Sequence, residues 1–251
     1  MHIQPRLPDH PDLWRARELA TDPNRRLNSA KNHATGFDQL DELLFGGGWP
    51  AAGLMELLCD IHGVGELRLL ASALTRLSRN EARWITWINP PFVPYAPALA
   101  RAGIDVNKVL LIHPKSHREA LWALEQALKT GASSAALAWL DESALTTTDI
   151  RRLQLAAVTG RTWTTLFRPA SAADKASMAE LRILVESEPA GRCDRLAFTI
   201  LKRRGGWPTS RIALDIGHAP IRRERAAVGE QLAFWRHSHG RANAGGYRTA
   251  S

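Results

Sequence analysis

The chain has 251 residues, of which 45% are hydrophobic and 23% charged, a composition typical of a globular protein with one substantial core. No apolar run approaches the roughly 18 residues of a membrane span, and two cysteines are too few for a disulfide framework or a cysteine zinc site. We therefore expect a cytoplasmic protein with reduced thiols. The formal net charge of +8 lies entirely after position 189, where twelve basic residues stand against four acidic ones. This asymmetry indicates an acidic or nucleic-acid partner, or else a solubilising tail.

The chain divides into three parts by composition. Residues 1–33 are polar and rich in proline, and they read as a lead-in with room for one short helix. Residues 34–217 hold the regular hydrophobic patterns and form the predicted core. Residues 218–251 are predicted to be a basic, partly disordered tail.

The core alternates between patterns of strand and of helix. Short apolar runs of strand length lie at 54–59, 83–88, 108–113, 134–140 and 161–167. Leucines recur at helical spacing in 66–80 and 117–130, and a third helix is predicted at 146–160. The alternation predicts an α/β fold with a mostly parallel central sheet and helices on both faces.

The end of the core has a different pattern. Residues 171–185 fit a loop followed by a helix or short strand, and the composition of 172–182 favours the helix. Residues 196–201 and 211–216 alternate between apolar and polar side chains around a glycine-bearing turn. They predict an antiparallel hairpin at the C-terminal edge of the sheet.

The segment from 54 to 80 has the layout of a phosphate-binding loop, which is a strand, a glycine turn and a helix. A working loop reads GxxxxGK[ST], so that amides, a lysine and a hydroxyl meet phosphates and magnesium. Here Asp60 replaces the first glycine, Gly63 and Gly65 remain, Glu66 replaces the lysine and Leu67 the hydroxyl. A carboxylate in place of the lysine reverses the sign of an interaction of about 4 kcal/mol at 4 Å and an effective dielectric constant of 20. We therefore predict a degenerate nucleotide loop without cofactor or metal.

Eight short sequence words, in order from about Thr35 to Asp215, resemble those of known families. The words are GGGWP, GVGELRLL, WINPPFVPYAPALARAGID, ALWALEQALKTG, LAWLDE, RRLQLAA, LFRP and LKRRGG. These words resemble the ImuA group, a set of RecA-fold relatives also described as SulA-like. The stretch 34–70 also resembles the core of RecA, in its order of a TG pair, an LD-containing helix, glycines, a proline and a strand that leads into the loop. The resemblance implies a RecA-like fold.

The same resemblance bears on four further residues of the nucleotide site. Pro91 stands where RecA has the glutamate that activates water, and proline has no proton to exchange. Asp141 and Glu142 stand where a Walker-B acid would sit, either as a magnesium ligand or as a capping or surface acid. Arg168 replaces a residue that senses γ-phosphate, and it either touches an anion or forms a surface ion pair. The resemblance therefore implies a protein that is not an enzyme and has no catalytic residues.

The function implied by the ImuA resemblance is an accessory role in SOS-induced translesion DNA synthesis, a part of DNA repair and mutagenesis. The implied partners are an ImuB-type pseudo-polymerase, RecA and a DnaE-type error-prone polymerase. The alternative is a SulA-like cell division inhibitor, a class that binds the tubulin-like division protein. SulA-type proteins are shorter and lack a long basic end, which favours ImuA. A true ATPase is disfavoured by the lost lysine, hydroxyl and base.

The basic C-terminal quarter is predicted to carry the partner contact, with weak DNA binding as an additional property. The tip of the hairpin holds Lys202, Arg203, Arg204 and Trp207, which favours a phosphate or acidic peptide, or else a solvated turn. The tail that follows combines basic residues with a short apolar stripe that docks on a partner or on its own domain. Its predicted contact residues are Arg222, Arg223, Val228, Leu232 and Trp235.

Overall fold

One eight-stranded sheet organises the residues that the structure, a computed structural model, describes: 32–187 and 195–217. The strands are β1 (Gly53–Leu58), β2 (Trp84–Ile88), β3 (Val109–Ile112), β4 (Ser133–Trp139), β5 (Trp163–Arg168), β6 (Leu181–Ser187), β7 (Arg195–Lys202) and β8 (Ile212–Asp215). Their spatial order is β3-β2-β4-β5-β1-β6-β7-β8. The strands from β1 to β6 pair in parallel, and β7 and β8 are antiparallel.

Helices connect most of the parallel strands. After α1 (Asp38–Leu43), which precedes β1, they are α2 (Glu66–Asn80), α3 (Ala96–Arg101), α4 (His117–Lys129) and α5 (Thr147–Thr159), with 3-10 turns at Val106–Lys108 and Ala170–Asp174. The start of α5 is fixed by a capping box, in which Thr146 and Asp149 each accept a backbone N–H from the other's position. Among the described residues, no helix is long and apolar enough to cross a membrane.

Two hydrophobic cores lie on opposite faces of the sheet. Along β1, Met55 and Leu57 join the core that includes Leu70 of α2, whereas Leu54 joins the core that includes Leu124 of α4 and Leu153 of α5. The switch from one face to the other follows from the two-residue period of a strand. Both faces are covered, so all six residues of β1 and all seven of β4 are buried.

The predicted fold class is confirmed as a mixed α/β structure with a mostly parallel sheet and a C-terminal antiparallel hairpin. In that hairpin, Leu196 lies opposite Leu214. The helix favoured for 172–182 is wrong, because the chain there leaves a 3-10 turn and enters β6. Pairing of β6 with β1 buries Leu181 and Ile183, and this long-range contact outweighs the local helical propensity.

The described residues lie in one compact unit that begins at Asn32. Most of the predicted lead-in and all of the predicted tail lie outside the described residues. The three-part division of the chain therefore stays a prediction.

Candidate functional site

The glycine turn between β1 and α2 binds a side chain of its own helix. Glu66 is the first residue of α2 and is only 4% exposed. Its carboxylate accepts the backbone N–H of Gly63 at 2.8 Å and that of Gly65 at 3.1 Å. Converging amides at a helix N-terminus are the elements that bind phosphate in a working loop. In this chain a carboxylate of the protein uses these donors.

The other residues of the predicted loop face different partners. Asp60 is exposed, and its carboxylate accepts the backbone N–H of Ala170 at 2.8 Å, at the start of the 3-10 turn after β5. Leu67 packs against the core on the α2 side of the sheet. The carboxylates of Asp60 and Glu66, which replace two residues of the phosphate-binding motif, thus accept hydrogen bonds from separate backbone groups. Burial, then the charges of Glu66 and Asp60, raise the pKa of the neighbouring Cys59 thiol to about 12.

Gly65 is required by the backbone of this turn. Its φ of +114° lies in the region that L side chains rarely adopt. A Cβ atom at this position would also lie 2.4 Å from Cδ1 of Ile216. Gly63 has a φ of +87° as well, but a Cβ there would meet no atom within 4 Å. A side chain would therefore strain the backbone at either glycine, but it would clash with a neighbouring residue only at Gly65.

A buried ion network centred on Glu56 lies beside the turn. Glu56 is fully buried in the middle of β1. Its carboxylate accepts hydrogen bonds from Arg168 Nη1 at 2.8 Å, Arg182 Nε at 2.6 Å and Ser177 Oγ at 2.5 Å. The guanidinium of Arg182 also donates to the carbonyl oxygens of Ala172 and Ala173. Hence β1, β5, β6 and the segment before β6 are joined by charged groups inside the protein.

The network continues outward through Arg168 to the turn after β4. Arg168 donates from Nε at 2.9 Å and from Nη2 at 2.7 Å to the two carboxylate oxygens of Glu142. Lys175 Nζ lies 2.8 Å from Oε1 of the same Glu142 carboxylate and forms a second ion pair with it. Burial acts to raise the pKa of Glu142, but the hydrogen bonds from Arg168 and Lys175 outweigh it and lower that pKa. Arg168 is therefore a buried partner of two carboxylates, and the surface ion pair offered for it from the sequence is wrong.

Asp141 and Pro91 lie at the same edge of the sheet but outside this network. Asp141 is exposed and accepts the backbone N–H of Ser143 at 3.0 Å and its hydroxyl at 2.7 Å. These two bonds lower the pKa of Asp141. The Asp141 carboxylate therefore stabilises the turn that follows β4. Pro91 is exposed in the loop after β2. Within the described ranges, no three His, Cys, Asp or Glu side chains are placed to hold a metal ion.

The basic tip of the hairpin folds back on the protein. Lys202 Nζ donates to the carbonyl of Ser177 at 2.9 Å. Arg203 donates to the carbonyl oxygens of Leu43 and Trp207, and the Arg204 guanidinium lies 5.0 Å from the centroid of the Phe45 ring. Trp207 projects, with 85% of its surface exposed. The predicted tail contacts at Arg222, Arg223, Val228, Leu232 and Trp235 lie outside the described residues. A contact role for either group stays a prediction.

Sequence reasoning missed four members of the ion network: Glu56, Lys175, Ser177 and Arg182. A signal was present for the first of them. Glu56 interrupts the apolar run GLMELL, and a charge inside a buried strand requires a charged or hydrogen-bonding partner. The identity of that partner depends on strand order, which places Arg182 directly beside Glu56 across β6 and β1.

Comparison with known proteins gives a family match over part of the chain. The family model for the cell division inhibitor SulA matches residues 60–164, from the glycine turn to β5. The matching family is SulA. Cell division inhibitor SulA of Edwardsiella piscicida is 36% identical over 103 residues, which are 41% of this chain and 60% of that protein. SulA of Photorhabdus laumondii is 34% identical over 109 residues, 43% of this chain and 60% of that protein.

A solved structure is also similar. It is the crystal structure of SulA from Pseudomonas aeruginosa, which is 32% identical to this chain in sequence. The superposition covers 46% of this chain and 97% of the SulA chain, with a TM-score of 0.40. The present chain spans about 60% of the length of the curated relatives that it matches.

These comparisons correct the predicted family. Assignment to the ImuA group is wrong, because the matching model and the curated relatives are those of SulA. The predicted role in translesion synthesis is wrong with it. So are the predicted partners, namely the ImuB-type pseudo-polymerase, RecA, the DnaE-type polymerase and DNA. Most of the words that suggested ImuA lie in strands, helices and connecting turns, and such core patterns do not separate relatives of similar fold.

Proposed function

We propose that this chain is a SulA-type cell division inhibitor, which binds the tubulin-like division protein and catalyses no reaction. The observation that carries the proposal is the match of the SulA family model to residues 60–164. Identities of 34–36% to inhibitors from two bacteria support it. The match includes the helices from α2 to α5 and three complete strands of the eight-stranded sheet, namely β2, β3 and β4.

The geometry supports a binding role over catalysis. Open α/β sheets usually bind ligands at the carboxyl ends of their parallel strands. In this chain the polar groups at that end of the sheet bond to one another. Glu66 uses the amides of the turn, Asp60 holds the segment after β5, and Arg168 is shared between two carboxylates. A nucleotide would have to break several charge-assisted hydrogen bonds to enter.

Three finer expectations belong to this proposal. A RecA-like fold is supported by the strand, glycine turn and helix at 53–80. Induction in the SOS response would suit a protein that stops division while DNA is repaired. The cytoplasmic location expected from the sequence stays a prediction.

Controlled expression in a rod-shaped bacterium tests the proposal. We expect cells to elongate into filaments while DNA replication and segregation continue, because a division inhibitor blocks septation alone. Filaments should divide again after the inducer is removed. Normal cell length at an expression level that immunoblotting confirms would contradict the proposal, as would arrest of growth without elongation.

A further inference from the structure

The loop between β2 and α3 is held rigidly at its base. Asn89 adopts the left-handed backbone conformation with a φ of +52°, which is uncommon outside glycine. Its backbone N–H donates to the carbonyl of Ile112 at 2.8 Å, and its side chain donates to the carbonyl of Trp139 at 3.3 Å. The base of the loop is thereby tied to the ends of both neighbouring strands, β3 and β4. Three prolines, at positions 90, 91 and 94, restrict the backbone beyond it.

This rigid loop presents three large apolar side chains to solvent. Phe92, Val93 and Tyr95 are 72%, 71% and 70% exposed. Side chains of this kind are usually buried, and three of them within four residues form an apolar projection. Because the backbone is already restricted, little conformational entropy is lost when the loop is bound. Exposed aromatic anchors on a preorganised backbone are typical of binding hot spots.

Basic side chains flank one side of the projection. The hydrogen bond from Asn89 to Ile112 places the end of β3 beside the base of the loop. The chain after β3 carries His113, Lys115 and Arg118, which are all exposed, and one exposed acid, Glu119, whose carboxylate accepts the backbone N–H of Lys115 at 2.8 Å. Within the part of the chain that the structure describes, the three basic side chains make no ion pair. On the other side, after β4, the exposed Asp141 is bonded to Ser143.

We propose that the loop 89–95 is a docking projection that inserts Phe92 and Tyr95 into an apolar pocket of a partner protein. The pocket is bordered by carboxylates on the side that meets Lys115 and Arg118. This inference rests on the proposed function, in which that partner is the tubulin-like division protein. A membrane is disfavoured because two cations supply too little attraction to anionic lipid. Nucleic acid is disfavoured because its binding sites align aromatic rings along a continuous basic groove.

Two pairs of substitutions separate the apolar and charged parts of this surface. The first is Phe92→Ser with Tyr95→Ser, and its control is Trp122→Ser, at a residue of α4 that is 63% exposed. The second is Lys115→Glu with Arg118→Glu. Its control, Arg151→Glu with Arg161→Glu, makes the same change in net charge away from the loop. All four variants alter exposed side chains, so their thermal melting should match that of the original chain.

Binding is measured by calorimetry and by surface-based kinetics against the purified division protein, with anionic phosphatidylglycerol vesicles and single-stranded DNA as parallel probes. We expect the apolar pair to weaken binding to the division protein by about 30-fold or more. We expect the charged pair to slow association several-fold and to reduce its dependence on salt. The two controls should bind within about twofold of the original chain.

The possible failures are distinguishable. If the original chain binds the division protein and both pairs bind equally well, the docking projection is wrong while the proposed function stands. The docking projection would also be wrong if the two double variants lost binding to vesicles or DNA but kept binding to the division protein. If the original chain does not bind the division protein at all, the proposed function fails, and the assignment of this partner to the loop fails with it.

Discussion

The Glu66 carboxylate accepts the backbone N–H of Gly63 at 2.8 Å, across the turn that precedes its own helix. The same carboxylate also accepts the N–H of Gly65. A side chain with the charge of a phosphate oxygen thus stabilises the anion-binding geometry of the turn from within. The glutamate that replaces the lysine of the motif thus binds the amides of the turn itself.

Removing the charge of Glu66 should destabilise the protein. Glu66→Gln keeps one acceptor oxygen but loses the charge assistance and one of the two bonds. We expect a loss of about 1–2 kcal/mol in the free energy of unfolding and a melting temperature lower by a few degrees. Glu42→Gln, at an exposed position of α1, is the matched control and should melt within about one degree of the original chain. Equal melting of the two variants would show that the carboxylate does not stabilise the turn.

The turn should not bind ATP, either as it stands or after Glu66→Lys. The lysine would restore one attractive charge, but Leu67 supplies no hydroxyl for magnesium, and Asp60 leaves a carboxylate at the turn. Isothermal titration with Mg–ATP should give no heat of binding for either protein. A micromolar dissociation constant for the unchanged chain, or hydrolysis that disappears when Glu66 is replaced, would contradict this prediction.

The two glycines of the turn should differ in their tolerance of a side chain. Gly63→Ala meets only backbone strain and should cost about 1 kcal/mol. Gly65→Val adds a clash with Ile216 and should cost several times more, since the Cβ alone would lie 2.4 Å from Cδ1. Urea denaturation at constant m-value gives both numbers. Equal costs would mean that the hairpin strand moves away freely.

The buried carboxylate of Glu56 should matter far more than an exposed one. Glu56→Ala leaves two buried guanidinium groups, those of Arg168 and Arg182, without this partner, and we expect a loss of about 3–5 kcal/mol. The control is Glu186→Ala, which removes an ion pair with Arg211 in which both side chains are about half-exposed, and which should cost under about 1 kcal/mol. Chemical denaturation of both variants checks the difference. A cost below about 1 kcal/mol at Glu56 would contradict the network.

Glu142 should contribute to the acid sensitivity of the fold. Its pKa is lowered in the folded protein from the usual 4.5, so near and below pH 4.5 the unfolded chain binds more protons than the folded one. The contribution is complete above that range and is lost as the pH falls through the lowered pKa. Glu142→Gln should therefore be less stable at pH 7 and lose less stability between about pH 5 and pH 3. Parallel dependence on pH in the two proteins would exclude this role.

The sequence predicted the parts of the fold that depend on local pattern. Leucine spacing located α2 from Glu66 to Asn80, and apolar runs located β1 to β5 within one or two residues. For β6 it offered a short strand only as the alternative to a helix, since the alternation of Leu181 and Ile183 has meaning only beside β1. Nor did it predict that the helix α1 and the hairpin tip would meet.

The candidate site was predictable in composition but not in contact. The residue types of the glycine turn indicated that nucleotide chemistry was lost. The partner of Asp60 was not visible, because it is a backbone amide 110 positions away in the sequence. The Glu56 network likewise joins residues more than 100 positions apart, which no short motif can encode.

Calorimetric titration of the purified chain against the tubulin-like division protein, with and without Mg–ATP, tests the central claim most directly. The claim is that the chain inhibits division by binding, with its nucleotide position held by its own side chains. It predicts saturable binding with the same dissociation constant in both conditions. Absence of binding up to about 100 μM, which corresponds to a binding free energy weaker than about −5.5 kcal/mol, would contradict the claim, as would binding that requires ATP.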